Sequence, residues 1–181
     1  MSKHVVILKW NPAVSSISMW DFLLDILDQE PGGNWSIWEH NRVRQGDAFF
    51  LLKVGHGVTG IVAAGELTSE PCCDEDWSGR RRQTYYCDYC ADVMLNPETF
   101  PILESSKLEA LIPDFDWHGG HSGVILSPES GQRLITLFET YLQENAAYFK
   151  ERLALIQRRR LQNDQCYFSP KRLAMLGIEE N

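Results

Sequence analysis

Residues 117–123, with the sequence WHGGHSG, are the stretch of the chain richest in groups that could do chemistry. They combine an aromatic ring, two histidines three positions apart and the hydroxyl of Ser122. Histidines at this spacing suggest metal binding or general-base chemistry. No HExxH pattern accompanies them, and no GxSxG motif surrounds the serine. The loop is therefore interpreted either as a binding loop or as a glycine turn with a satisfied hydroxyl.

Tryptophans gather just before or after predicted strands, where an aromatic ring could stack on a base. An aromatic face contributes roughly 1–3 kcal/mol per stacked base, which is comparable with the cost of unstacking that base. Two such rings could sustain binding, although each ring could instead be core filling. Trp35 and Trp38 are an odd number of residues apart, so in an extended segment at most one of them faces a pocket. The tryptophans placed in this way are Trp10, Trp35, Trp38, Trp77 and Trp117.

Two polar side chains beside turns could read the edge of a base. Asp47 follows Gly46 directly before an apolar run, and it either holds the backbone of that turn or accepts from a base amino group such as that of cytosine. Asn11 precedes Pro12, and it either makes an Asx turn or offers a base both a donor and an acceptor.

Four of the five cysteines lie close together as Cys72, Cys73, Cys87 and Cys90. Their spacing does not fit a zinc ribbon, and Cys87 and Cys90 fall on opposite faces of a strand. An odd number of cysteines without a secretory signal indicates free thiols. We therefore expect no metal and no cofactor.

A long β-hairpin over residues 44–71 is the element around which the others are expected to assemble. The apolar run 49–52 predicts a strand buried on both faces, and the glycines around His56 predict its turn. The return strand carries small residues, so we expect another group, such as a pocket wall, to approach its backbone closely. These small residues are Gly60, Ala63, Ala64 and Gly65.

The flanking segments predict further strands and helices. Residues 4–8 predict a strand, serines before Met19 predict a capped helix, and strict alternation over 85–95 predicts a half-exposed barrel strand. The charged segment 72–82 is interpreted as a mobile loop and as the best candidate for a lid.

The C-terminal part of the chain predicts helices. A short helix is expected over 104–112, and Ser127 with Pro128 predicts the start of a longer one. That helix could continue to the arginine run, and its far half is then expected to project from the barrel. A final short helix is expected over 171–176.

The order of several short motifs resembles the PUA-like superfamily, and most closely its EVE and ASCH-type members. A Gly-Asp pair before an apolar strand, a turn and the sequence GIVAAGELTSEP carry this resemblance, together with tryptophan motifs at 10–12, 35–37, 76–79 and 117–123. It implies an α+β fold, with a small mixed β-barrel flanked by helices and a C-terminal helical extension. Similar modules occur alone or fused to HNH nucleases of the modification-dependent restriction type, and their barrel pocket receives a base, often a modified one.

The resemblance also implies which residues line the pocket. Trp10 and Trp117 are the preferred stacking pair, because both match places where similar modules line their pocket. The Ser-Gly segment lies beside the pocket in those modules, where a hydroxyl or a backbone N–H could read a base edge or contact a phosphate. The candidate binding residues are Trp10, Asn11, Trp35, Asp47, Trp77, Trp117, His121, Ser122 and Gly123.

Charge is distributed unevenly along the chain. The net charge of −8 argues against indiscriminate binding along a nucleic-acid backbone. Residues 145–172 nevertheless carry seven basic side chains against two acidic ones. We expect a PUA-like domain at 1–145 and a basic helical extension at 146–181, whose Arg158, Arg159 and Arg160 either contact phosphates or lie on a solvated helix.

These features predict a non-catalytic nucleic-acid-binding module that holds a base or nucleotide, with DNA and RNA both open as partners. One alternative is an enzyme acting on a nucleic acid or nucleotide through His118, His121 or Asp47, although nothing in the chain resembles an HNH domain. Another is an adaptor whose C-terminal helix docks a partner protein. The first ten residues carry an apolar run too short for a membrane span and no cleavage-type signal, so a soluble cytoplasmic protein is expected.

Overall fold

The computed structural model of the protein describes residues 3–80, 82–159 and 166–178, and for 156–159 it describes the backbone alone. Within these ranges, no helix combines the length and the apolar character that a membrane span requires. The elements, in chain order, are β1 (Val5–Trp10), α1 (Met19–Asp28), β2 (Gly32–Ser36), β3 (Ala48–Lys53), β4 (Gly60–Leu67), β5 (Cys72–Glu75), β6 (Gln83–Leu95), β7 (Leu103–Glu104), α2 (Ser105–Leu111), β8 (Val124–Ile125), α3 (Pro128–Glu144), α4 (Ala146–Arg159), β9 (Cys166–Phe168) and α5 (Pro170–Met175).

The strands form one strongly curled mixed sheet in the order β2-β6-β4-β3-β1-β8. Strands β5 and β9 also pair with β6, and β7 pairs with β4. The pairing of β1 with β3 is parallel, and the other pairings are antiparallel. The fold is therefore of the mixed α+β class with a barrel-like sheet.

Backbone hydrogen bonds outside the strands link the two edges of this sheet. The N–H of Trp38 donates to the carbonyl of Ser122 at 3.0 Å, and the N–H of Glu39 donates to that of Gly123 at 3.0 Å. The Glu39 carboxylate also accepts from the N–H of Ile125 at 2.6 Å. The segment after β2 is thus joined to the segment before β8.

The predicted central hairpin is present as β3 and β4. Residues Phe49 to Lys53 of β3 are all buried, as expected for a strand covered on both faces. Helix α1 begins after Ser18, which accepts from the Asp21 N–H in a capping box. This confirms the predicted helix start.

The small residues of β4 have a different role from the expected one. A Cβ at Gly60 would collide with Leu103 and Glu104 of β7, and a Cβ at Gly65 would collide with the Cys90 carbonyl of β6. Neighbouring strands, rather than a pocket wall, make the close approach at these two glycines.

The alternation over 85–95 is confirmed in β6. Cys87, Tyr89, Ala91, Val93 and Leu95 are buried on one face. The expected lid is partly wrong, because residues 72–75 form β5, which pairs with β6 in a hairpin. Residues 76–80, which follow β5, lie at the tip of that hairpin.

The C-terminal segment packs against the sheet. The long helix predicted from Ser127 ends at Glu144, and α4 begins at Ala146. Early in α4, Phe149 is fully buried and packs on Phe100 and Phe168, so this part of the helix does not project from the barrel. The final helix starts after the predicted Ser169 cap.

Candidate functional site

A cavity of about 350 Å³ lies where the end of β1, strand β2, the β5–β6 hairpin tip and the loop before β8 meet. It brings together four predicted site residues, namely Asn11, Trp35, Trp77 and Ser122. Its complete lining is Lys9, Asn11, Val14, Ser15, Ser16, Ile17, Asn34, Trp35, Ser36, Val54, Trp77, Tyr86, Gly119, Gly120 and Ser122.

Trp77 is presented to the cavity by the tip of the β5–β6 hairpin and is 51% exposed. Its backbone N–H donates to the hydroxyl of Tyr86 at 2.9 Å. The turn is fixed further by Asp76, whose side chain accepts from the Ser78 N–H at 2.9 Å and whose own N–H donates to the Arg82 carbonyl at 2.8 Å. The hairpin therefore positions a large aromatic ring while leaving much of its surface free.

Ser122 is the polar centre of the cavity. Its hydroxyl oxygen accepts from the indole N–H of Trp35 at 2.9 Å and from the backbone N–H of Lys9 at 2.8 Å. A hydroxyl has two lone pairs, so both acceptor positions are occupied. The hydroxyl hydrogen has no acceptor among the residues that the structure describes. It remains available to donate to an acceptor on a ligand.

Lys9 adds a cation to the same wall, and sequence reasoning missed it. Its Nζ donates to the carbonyl of Asp116 at 2.7 Å and to that of Gly119, and it lies 4.7 Å from the centre of the Phe115 ring. Burial lowers the pKa of Lys9, although the nearby Asp116 carboxylate opposes this. A lysine directly after the apolar run 5–8 was the signal that could have drawn attention to it.

Asn11 uses its amide oxygen within the protein and leaves its amide N–H groups free for a ligand. Its Oδ1 accepts from the Ala13 N–H at 3.1 Å, which is the Asx turn expected before Pro12. The two N–H groups of the amide have no acceptor within the described ranges of the chain. Asn11 can therefore form the Asx turn and still offer its amide N–H groups to a base. Asn34 and Ser36 of β2 also line the cavity and were not predicted.

Trp10 and Trp117, the expected stacking pair, lie in the core. Each is 1% exposed, and neither belongs to the lining of the cavity. The indole N–H of Trp10 donates to the Ile17 carbonyl at 2.8 Å, and that of Trp117 donates to the Ile112 carbonyl at 2.8 Å. Because each N–H finds a backbone acceptor, these rings can be buried at little cost. This corrects their placement on the pocket wall.

Asp47 holds the backbone, as in the first of its two interpretations. Its buried carboxylate accepts from the N–H of His4 at 2.9 Å and from that of Arg44 at 2.8 Å. It does not line the cavity. Its place in the structure is the turn before β3.

His121 and Gly123 flank Ser122 without lining the cavity. The exposed His121 ring stacks on Trp38 with a centroid distance of 3.6 Å and an angle of 1°. Gly123 has a φ of +76°, and a Cβ there would collide with the Cα of Ile37. Because Gly123 has no side chain, the two edges of the sheet can approach each other closely here.

The residues named for the enzymatic alternative have separate partners. His118 lies 3.3 Å from the exposed Glu109 carboxylate, His121 stacks on Trp38, and Asp47 binds backbone. Within the described ranges, no three His, Cys, Asp or Glu side chains are arranged to hold a metal ion. Cys87 is buried and Cys90 exposed, which confirms that they face opposite sides of the strand.

The three arginines predicted to contact phosphates follow one another in the sequence. Arg158 and Arg159 lie at the end of α4, where the structure describes the backbone alone, and Arg160 lies outside the described residues.

No protein-family profile matches the chain, and no curated protein matches it in sequence. Some solved structures have a similar fold. Their sequence identities to this chain are low, so the similarity concerns the fold and not the function.

One of these structures is a hypothetical protein from Leishmania major. It has a TM-score of 0.52 and 11% identity, and the match covers 77% of this chain and 97% of that one. Protein PSPTO5229 from Pseudomonas syringae has a TM-score of 0.49 and 14% identity, over 74% of this chain and 98% of that one. The YTH domain of Mmi1, solved in complex with RNA, has a TM-score of 0.48 and 9% identity, over 79% of this chain and 82% of that one.

Proposed function

We propose that this protein is a non-catalytic nucleic-acid-binding module that holds one base of RNA or DNA in the cavity beside Trp77. The observation that carries the proposal is the exposed Trp77 ring on a fixed hairpin tip, next to a cavity whose polar centre is the Ser122 hydroxyl. An aromatic face and a directed donor are the two elements that base recognition requires.

The size of the cavity sets the class of ligand. Ligand pockets enclose roughly 300–1,000 Å³, so a cavity of about 350 Å³ is at the small end of this range. It suits a single base or nucleoside. A base in a duplex would have to leave the stack to enter, whereas a base in a single strand is already accessible.

The donors on the wall indicate which edge of a base is bound. The Ser122 hydroxyl, the Asn11 amide and the Lys9 ammonium all donate hydrogen bonds. A base that presents carbonyl oxygens or unprotonated ring nitrogens complements this set. Apolar side chains on the same wall, Val14 and Ile17, suit a methyl or similar small substituent. We therefore propose a modified base as the preferred ligand.

The charge of the protein favours contact with only a short stretch of a nucleic-acid strand. With a net charge of −8, the protein gains little from neutralising a long run of phosphates. Affinity would depend mainly on the base, with a shallow dependence on salt. We assign residues 1–145 to a PUA-like domain of the EVE or ASCH type and 146–181 to a basic extension, whose Arg158, Arg159 and Arg160 could add a salt-sensitive term.

The proposal is tested by measuring binding to short single- and double-stranded DNA and RNA, with and without methylated and hydroxymethylated bases, at low and physiological salt. We expect a preference of about tenfold or more for one modified base in a single strand, which corresponds to about 1.4 kcal/mol. The free modified nucleoside should compete with that strand. Absence of binding to every oligonucleotide at low salt would contradict the proposal.

A further inference from the structure

A second cavity, of about 470 Å³, lies on the other side of Asn11. The β3–β4 hairpin tip, the segment after β1 and the start of α1 enclose it, and Pro97 and Glu98 after β6 complete the wall. Asn11 lines both cavities, whereas Lys53 lines the second one alone. The second cavity is therefore a separate space with its own polar group.

Lys53 is an unusual residue for such a place because it is 4% exposed. Its Nζ donates to the carbonyl of His56 at 2.8 Å and to that of Val58 at 2.8 Å. These two acceptors are neutral. Among the described residues, no carboxylate lies within 4.0 Å of this ammonium group. Burial lowers the pKa of Lys53, and the more distant Glu98 opposes this.

A buried ammonium without a counter-ion is costly, and proteins normally pair such a charge. The two carbonyls use two of the three Nζ hydrogens, so one N–H remains for another acceptor. Glu98 is exposed and lies beyond ion-pair distance, at the rim of the cavity. Within the described part of the chain, the Lys53 ammonium therefore has two carbonyl partners and no contacting carboxylate.

The rest of the wall is mostly apolar. Pro12, Ala13, Met19, Val58 and Pro97 contribute its hydrocarbon surface. A small inorganic anion would leave this surface without a partner, whereas a carboxylate attached to an apolar chain would fill it. We propose that this cavity binds a small monocarboxylate with an apolar body, whose carboxylate pairs with the Lys53 ammonium. This site is independent of the base-binding proposal.

The test is a titration of the full chain with sodium hexanoate, followed by NMR of the methyl groups of Met19 and Val58. Saturable shifts of both methyls are expected. Hexanol, which has the same chain without the charge, and inorganic phosphate, which has the charge without the chain, should each bind about tenfold more weakly or worse.

Three variants locate the site. Lys53→Met removes the ammonium, and Ala13→Phe fills the cavity while leaving the lysine in place, so both should weaken hexanoate binding about tenfold or more. Lys107→Met removes an exposed lysine on α2 and should leave binding unchanged. If Lys53→Met does not fold, Ala13→Phe decides the question.

Three results would overturn the proposal. These are the absence of saturable shifts with hexanoate, hexanol binding as tightly as hexanoate, and unchanged affinity in a folded Lys53→Met or Ala13→Phe variant. A Trp77→Ala variant, which alters the first cavity alone, should retain hexanoate binding. Failure of base binding and failure of carboxylate binding are thereby distinguishable.

Discussion

The indole of Trp35 donates a hydrogen bond of 2.9 Å to the hydroxyl of Ser122, which is 87 positions away in the sequence. Trp35 belongs to β2, and Ser122 precedes β8, so this bond spans the two edges of the curled sheet. The same hydroxyl also accepts from the backbone of Lys9 in β1. One oxygen atom therefore links sheet closure to the polar centre of the cavity.

Ser122→Ala is expected to destabilise the protein because it removes the acceptor of two N–H groups. We expect the free energy of unfolding to fall by about 1–3 kcal/mol, the usual cost of leaving such groups unsatisfied. Urea unfolding monitored by tryptophan fluorescence measures this change. Ser36→Ala is the matched control, since the Ser36 hydroxyl makes no hydrogen bond with the described residues, and a change of less than about 0.5 kcal/mol is expected. Equal effects of the two substitutions would contradict the role assigned to Ser122.

Gly123→Ala tests the close approach of the two sheet edges. Gly123 and Gly79 have similar positive φ values of +76° and +69°. A Cβ at 123 would collide with Ile37, whereas a Cβ at 79 would meet nothing within 4 Å. Gly79→Ala should therefore lower the free energy of unfolding by about 1 kcal/mol, because alanine is disfavoured in the left-handed backbone conformation. Gly123→Ala should cost about 2–4 kcal/mol, because overpacking is added to that strain. Thermal unfolding of the two variants gives the comparison, and a difference near zero would show that the edges can separate freely.

Arg172 fastens α5 to the rest of the fold through two carboxylates. It lies 3.0 Å from Asp92 of β6 and 2.7 Å from Glu139 of α3. Arg172→Met should lower the free energy of unfolding at neutral pH by about 1–3 kcal/mol, because the half-buried Asp92 loses its partner. The exposed pair of Arg133 and Glu129 provides the control, and Arg133→Met should cost less than about 0.5 kcal/mol.

The effect of Arg172→Met should depend on pH. Burial raises the pKa of Asp92, and Arg172 opposes that rise, so the variant should raise this pKa further. A folded-state pKa above the unfolded value of about 3.9 means that the native state binds the proton more tightly. Stability then falls as pH rises through the interval between the two pKa values. The loss of stability caused by Arg172→Met should accordingly be larger at neutral pH than at a pH near the unfolded pKa of Asp92. Urea unfolding over this pH range measures it, and a pH-independent loss would contradict the assignment to Asp92.

The cysteines should divide into two classes of reactivity. Cys72, Cys73 and Cys90 are exposed, while Cys87 and Cys166 are buried. Burial raises the pKa of Cys87 to about 12 and that of Cys166 to about 12. The thiolate is the reactive form, so native protein should react at three thiols with Ellman's reagent, and at all five after denaturation. Fast reaction of all five thiols in the native state would show that β6 and β9 are not packed as described.

Local patterns in the sequence predicted much of the fold. The apolar run at 49–52, the Ser18 and Ser169 caps and the alternation of β6 each depend on neighbouring residues, and each is present in the structure. The break at Asn145 was not predicted, because the apolar spacing of α3 continues into α4. Packing of Phe149 against Phe168 determines where α4 lies, and that contact joins distant parts of the chain.

The candidate site was predicted less completely, because its geometry depends on contacts between distant segments. Trp10 and Trp117 carry the same side chain as Trp77, but their indole N–H groups meet backbone carbonyls in the core. No local pattern distinguishes these environments. Lys9 and Lys53 escaped notice for a related reason, since the carbonyls that hold their ammonium groups come from loops elsewhere in the fold or from a tight hairpin tip.

The most direct test of base binding compares Trp77→Ala with Trp20→Ala in their affinity for the oligonucleotide that the wild-type protein prefers. Both rings are well exposed, at 51% and 68%, but of these two residues Trp77 lines the cavity and Trp20 does not. Loss of one stacked base should cost about 1–3 kcal/mol, which corresponds to a loss of affinity of about 5- to 150-fold for Trp77→Ala, with Trp20→Ala unchanged. Equal affinities for the wild type and both variants would contradict the account.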